Sequence, residues 1–181
     1  MSILSRDNRK TRALTRNAVM LSLAMCLSFL EHLLPLSLFL PLPGVKLGLA
    51  NIVITVCFFA FSGLDATLIS LSRIALSALL FGTPISLFFA LCGGALSLLS
   101  LWLTSLAPSR RISFVGISIL SATAHHIGQI FAACILFGSS VILGYLPLLL
   151  LAGLVTGGVT GALLNLTMER LEKIGKWGWK R

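Results

Sequence analysis

ISLFFALCGGALSLLSLWLTS, residues 85–105, runs from Ile85 to Ser105 without one charged side chain. At about 1.5 Å of rise per residue a helix of this length is about 30 Å long, the thickness of a bilayer's hydrocarbon core. On either side of it the pattern recurs, with apolar runs over about 17–39, 47–62, 64–81, 113–137 and 141–168. The breaks between them are Pro41–Gly44, Ser62–Asp65, Phe81–Pro84, Ala107–Arg111 and Phe137–Ser140. These are turn formers by mechanism, because Pro lacks an N–H donor and Gly reaches positive φ at low cost.

Composition agrees. Of the 181 residues, 57% are hydrophobic and 10% charged, and the mean hydropathy is +1.02. A soluble domain of ordinary composition has about a quarter of its residues charged. This chain cannot cover itself against water. The expectation is an all-α polytopic membrane protein of six transmembrane helices: a basic N-tail over 1–16, a membrane domain over 17–168 and a basic C-tail over 169–181. Membrane lipid is its first partner.

The net charge of +9 sits mainly at the two ends, in Arg6, Arg9, Lys10, Arg12 and Arg16 and in Arg170, Lys173, Lys176, Lys180 and Arg181. That placement reads as juxtamembrane anchoring and not as nucleic-acid binding. With both termini inside, Arg110 and Arg111 are also cytoplasmic, and the external loops carry only Lys46. The positive-inside rule therefore puts the chain in the cell (inner) membrane with both ends in the cytoplasm.

Cys26, Cys57, Cys92 and Cys134 lie in apolar segments without CxxC spacing and read as small buried packing residues. The first apolar run lacks a small-x-small cleavage site and is expected to remain as a span. No Walker A sequence occurs, so the chain does not drive itself with ATP. Its two aspartates, Asp7 and Asp65, form no pair to hold Mg²⁺ against a diphosphate. With no nucleophile–base pair and no Cys/His metal set, no cofactor and no catalysis are expected.

Ionisable side chains inside a membrane are costly and mark function. Here they are Glu31 and His32 late in the first span, Lys46 at the start of the second, Arg73 in the third, and His125 and His126 in the fifth, with amides at Asn51 and Gln129. Most fall in the outer half of the bundle. Glu31 could pair with Lys46 or Arg73 to hold helices in register. Alternatively Lys46, Arg73 and a histidine make a cationic pocket for an anionic ligand, with Glu31, Asn51 and Gln129 orienting. Arginine suits bidentate carboxylate or phosphate recognition. His125 and Gln129 are one turn apart and share a face, whereas His126 lies about 100° round the helix.

Ala18, Ser22 and Cys26 recur every four residues as a stripe of small side chains on the first span, and Gly93, Gly94, Gly153, Gly157, Gly158 and Gly161 permit close approach elsewhere. Such stripes let another helix pack closely. The first span's stripe serves either a contact inside the bundle or a partner membrane subunit.

The string Pro43-Gly44-Val45-Lys46-Leu47-Gly48-Leu49-Ala50-Asn51-Ile52-Val53 resembles the signature of the membrane family called Gx transporter, or heptaprenyl diphosphate synthase component I. Glu31 with Pro35, Ser72-Arg73 followed by Leu80-Phe81-Gly82, and His125-His126-Ile127-Gly128-Gln129 agree in order. The last reads His-Asn-Ile-Gly-Gln in such proteins, so His126 departs from the pattern. This family is similar to the substrate-binding S components of energy-coupling factor (ECF) transporters. The resemblance implies a six-helix, S-component-like bundle that captures a small molecule from outside. It also implies docking through small residues of the first helix onto a transmembrane coupling (T) subunit powered by two cytoplasmic ATPases. The family's second name implies the alternative, a membrane subunit of heptaprenyl (polyprenyl) diphosphate synthesis.

Overall fold

Lipid offers no hydrogen bonds to a backbone, so a chain dissolved in it must satisfy its N–H and C=O groups internally. The computed structural model, which describes residues 2–33, 46–106 and 113–173, does this with helices alone among those residues. They are α1 (Ser2–Leu33), α2 (Asn51–Ala60), α3 (Gly63–Leu80), α4 (Pro84–Leu106), α5 (Phe114–Phe137) and α6 (Leu146–Lys173), with a 3-10 turn over Ser140–Tyr145 ahead of α6. The Pro41–Gly44 and Ala107–Arg111 breaks and the basic residues beyond Lys173 lie outside the described residues.

Helix ends follow local side-chain chemistry. Ser62, Ser113 and Ser139 each accept a backbone N–H of the turn they start, from Leu64, Gly116 and Val141. Thr83 and Ser86 cap each other's backbone N–H groups at the start of α4, at 2.9 and 3.1 Å. Gly138 ends α5 at φ +61°, the left-handed conformation that a residue without Cβ adopts at low cost.

Five stretches are long and apolar enough to cross a membrane: Lys10–Leu33, Gly63–Leu80, Pro84–Leu106, Phe114–Phe137 and Val141–Lys173. The sixth expected span is where the structure departs from the sequence reading. Its helix, α2, has 10 residues and is about 15 Å long, half the hydrocarbon thickness. The first part of the 47–62 run is not helical, because Gly48 turns the chain at φ +83° and Leu49 and Ala50 form a turn. Two spans also differ at their starts. The first helix runs unbroken from Ser2 through the basic segment and is described as far as Leu33, and the last span, from Val141, opens with a 3-10 turn before its α-helix starts at Leu146.

A helix too short to span the hydrocarbon leaves its ends at membrane depth, which is tolerated only where protein surrounds them. α2 meets that condition. Eight of its ten residues are buried, among them Val53, Ile54, Cys57, Phe58 and Phe59. These pack with Ala24, Ala66, Ile69, Leu101, Ile117, Leu164 and Met168, so every other helix contributes to the core around this short one. The perimeter is the reverse of a soluble protein's: Leu79, Leu106 and Val141 are exposed by more than three quarters.

α5 packs closely on both α4 and α6. The glycines show why. A Cβ on Gly128 would lie 2.5 Å from the Cys92 carbonyl oxygen, and Cβ atoms on Gly157 and Gly161 would each lie 2.5 Å from a Cα of α5, those of Ile119 and Val115. Gly153, Gly157 and Gly161 thus form the small-residue face that brings α6 against α5, whereas Gly158 points into open space. α1 is peripheral. Its inward residues Ala24, Ser28 and Glu31 form a narrow buried stripe.

Candidate functional site

The non-helical segment 46–48 and the turn after it bring backbone and side chains from four helices to one place. Glu31, 3% exposed on α1, accepts the Leu49 N–H on Oε1 at 2.5 Å. The Gly48 carbonyl accepts the Asn51 N–H at 2.9 Å and closes the turn into α2. A Cβ on Gly48 would sit 3.1 Å from Asn51 Nδ2 and 3.3 Å from His125 Cδ2, so this glycine lies directly against both residues. His125 in turn is joined to Gln129 by a 3.1 Å Nε2–Nε2 hydrogen bond, as their one-turn spacing predicts.

Arg73 reaches the cluster from α3. It is 3% exposed, and its guanidinium donates to Ser28 Oγ at 3.2 Å. Glu31 lies within electrostatic reach of both Arg73 and Lys46, and so does His125. The six residues nominated from sequence, Glu31, Lys46, Asn51, Arg73, His125 and Gln129, are therefore brought together around one segment.

Their pairing differs from the ion-pair expectation. No Glu31–Lys46 or Glu31–Arg73 contact closes to ion-pair distance, and the ion pair found among the described residues is Arg16–Asp65. Glu31 spends one oxygen on backbone, and Arg73 spends one amino group on a serine. What remains is a set of buried polar atoms without a hydrogen-bond partner: Glu31 Oε2, Asn51 Nδ2, Arg73 Nε, His125 Nδ1 and Gln129 Oε1. Each such atom costs about 1–3 kcal/mol when left unmade in a protein interior. Outside the nominated set, the same condition is met among the described residues at Ser118 and at both ring nitrogens of His126.

The two histidines face different helices. His125 lies against α4, where a Cβ on Gly93 would meet its ring at 2.8 Å. His126 is fully buried toward α6, where a Cβ on Gly153 would meet Cδ2 at 3.0 Å. His32 is exposed, its ring centroid 5.4 Å from that of Phe81. Ser28, the Leu49 N–H and Gly48 were not singled out from the sequence, although Ser28 stands three residues before Glu31 and so shares its helix face.

The stripe Ala18, Ser22 and Cys26 is exposed along its whole length, on the side of α1 opposite Ala24 and Ser28. Ser22 Oγ donates to the Ala18 carbonyl at 2.9 Å, so its hydroxyl is satisfied within the helix. Cys26 is thus not the buried packing residue that its sequence context suggested. Cys57 is buried, and Cys92 and Cys134 are partly so. α1 touches the bundle along one stripe only, which leaves Cys26 outside.

A second polar cluster lies near the middle of α1. Arg16 and Asp65 meet at 2.6 Å, Asn17 Nδ2 donates to Asp65 Oδ1 at 2.7 Å, and the Arg16 guanidinium lies 4.0 Å from the centroid of the Phe61 ring. It clasps α1 to the α2–α3 turn.

No curated protein and no solved structure matched the chain. The profile of one family matches residues 20–167, most of the membrane-embedded chain and all six nominated polar residues. The chain belongs to the family described as heptaprenyl diphosphate synthase component I.

Proposed function

We propose that the protein is the substrate-binding (S) component of an ECF-type, ATP-driven uptake transporter. In this reading it takes a small, anionic, vitamin- or isoprenoid-related molecule from outside and catalyses no reaction itself. The observation that carries the reading is the convergence of five side chains, each more than nine-tenths buried and each with an unpartnered polar atom, around the segment 46–50. A structure that leaves so many hydrogen bonds unmade in one place gains by binding a polar ligand there. Glu31, Asn51, His125 and Gln129 orient that ligand, and Lys46 and Arg73 supply the positive charge.

The exposed stripe supports the partner half of the reading. Ala18, Ser22 and Cys26 give a flat helix face on which a second membrane helix can approach closely. The partner is a transmembrane coupling subunit linked to two cytoplasmic ATPases. Enlarging the face tests it. Ser22→Leu with Cys26→Leu is expected to abolish co-purification of a coupling subunit from native membranes and to stop uptake, with insertion and ligand binding retained. Unchanged co-purification would remove the stripe from the interface.

The family's description favours a second reading, a membrane subunit of polyprenyl diphosphate synthesis. It requires that the protein, alone or with a soluble partner, extend an allylic diphosphate in a Mg²⁺-dependent reaction. An assay showing such extension would displace the transport reading.

A further inference from the structure

The polar atoms of the site also constrain what it holds, provided that the capture reading is right. Two of the unpartnered atoms have fixed roles. Arg73 Nε can only donate. Glu31 Oε2 accepts in the carboxylate, the form that a backbone N–H donated to Oε1 stabilises. The amides of Asn51 and Gln129 each add one unpartnered atom whose role reverses if the amide is turned, and His125 Nδ1 takes either role with its tautomer. A ligand filling this site must therefore present at least one acceptor and at least one donor.

Charge gives a second constraint. Arg73 and the part-buried Lys46 against the Glu31 carboxylate leave the cluster one positive charge in excess, with the imidazoles counted as neutral. Buried charge is tolerated when it is balanced. A monoanion balances the cluster, whereas an isoprenoid diphosphate overshoots it by more than one charge. Such a diphosphate also offers almost only acceptors, and would place them beside the Glu31 carboxylate.

We infer that the ligand is a monoanionic organic acid bearing an N–H or O–H donor close to its acid group, and not an isoprenoid diphosphate. The acid group meets Arg73 and Lys46, and the donor meets Glu31. An acidic heterocycle with a ring N–H, an amino acid derivative and a hydroxy acid all belong to this class.

The sign of one substitution separates the alternatives. Glu31→Gln keeps an oxygen for the Leu49 N–H but removes the negative charge. A donor-bearing monoanion loses its partner and binds at least tenfold more weakly. An acceptor-only anion is relieved of repulsion and binds more tightly. The experiment is native mass spectrometry of protein extracted gently from its own membranes, followed by titration of wild type and E31Q with farnesyl diphosphate as the acceptor-only probe.

The expected result is a co-purified monoanion with a donor beside its acid group, retained by wild type, depleted at least tenfold on E31Q, and not displaced by the diphosphate. A bound diphosphate ester, or farnesyl diphosphate binding that tightens on E31Q, would overturn this inference and leave the capture reading standing. Wild-type protein carrying neither a small molecule nor a coupling subunit would overturn both. The identity of the molecule on wild type decides the matter even if E31Q fails to fold.

Discussion

α1 carries two polar clusters, one near its middle and one near its C-terminal end, and they are built in opposite ways. At Arg16, Asn17 and Asp65 the polar contacts close on one another: a 2.6 Å ion pair, a 2.7 Å amide hydrogen bond and an aromatic ring under the guanidinium. At Glu31, four turns along the same helix, the carboxylate has one backbone partner and one bare oxygen, and the arginine nearby has a bare Nε. The first cluster is half-exposed and complete. The second is buried and incomplete, although burial is the condition that makes incompleteness expensive. Where a fold bears that cost, function is the usual reason. The Arg16 cluster joins parts of one chain, and the Glu31 cluster is left with polar atoms that the chain does not pair.

The largest effect that would break this contrast is at Arg73. Arg73→Ala is expected to lower ligand affinity at least a hundredfold, measured by isothermal titration or by loss of the co-purified molecule. The melting temperature of ligand-free protein should change far less, because the residue has a single hydrogen bond, to Ser28. A collapse of stability with affinity largely kept would make Arg73 a structural residue and the Glu31 cluster a second clasp.

Gly93→Ala gives a smaller and more selective test. The added Cβ would lie 2.8 Å from Cε1 and Nδ1 of His125, the movable end of a side chain, and 3.0 Å from its carbonyl oxygen, so the ring must swing away from its place beside Gly48 and the α4–α5 contact must give by a few tenths of an ångström. We expect about a tenfold loss of affinity, about 1.4 kcal/mol, with the fold retained. Gly128→Ala is the contrasting substitution. There the new Cβ would meet the Cys92 carbonyl at 2.5 Å, backbone that cannot step aside, so α4 and α5 must separate and stability falls as well. Equal behaviour of the two variants in a thermal melt would mean that His125 is fixed by the helix contact and not by the site.

Much of this was legible in the residues, for one physical reason. In a chain so apolar, each ionisable side chain within a span stands out, and the six that were nominated meet at one segment. The apolar runs likewise located the five long helices to within a few residues at most ends. What hydropathy could not show was that the 47–62 run holds only a ten-residue helix, since Leu47, Leu49 and Ala50 are as apolar in a turn as in a helix. Only Gly48, at φ +83°, marks the difference. Nor could it choose partners. Glu31 was expected to find a cation and found the Leu49 N–H, because segment 46–50 presents a backbone donor that no side-chain pattern encodes. The Arg16–Asp65 clasp was missed for the opposite reason, as charges beside a turn and at a basic tail are ordinary there.

That clasp supplies the smallest effect and the sharpest control. Arg16 and Asp65 keep 33% and 25% of their side-chain surface exposed, so solvent screens their attraction. Exposed pairs of this kind contribute about 0.2–1 kcal/mol, and the contact with the Phe61 ring adds an amount of the same order. Asp65→Ala should therefore lower the melting temperature by a few degrees and leave ligand affinity within twofold. Salt should narrow the difference from wild type, since it weakens the pair where it is still present. If Asp65→Ala instead cost tenfold in affinity, the two clusters along α1 would be coupled. The clasp would then set the position of Glu31, about 20 Å away along the helix, and the incompleteness of the Glu31 cluster would be under its control.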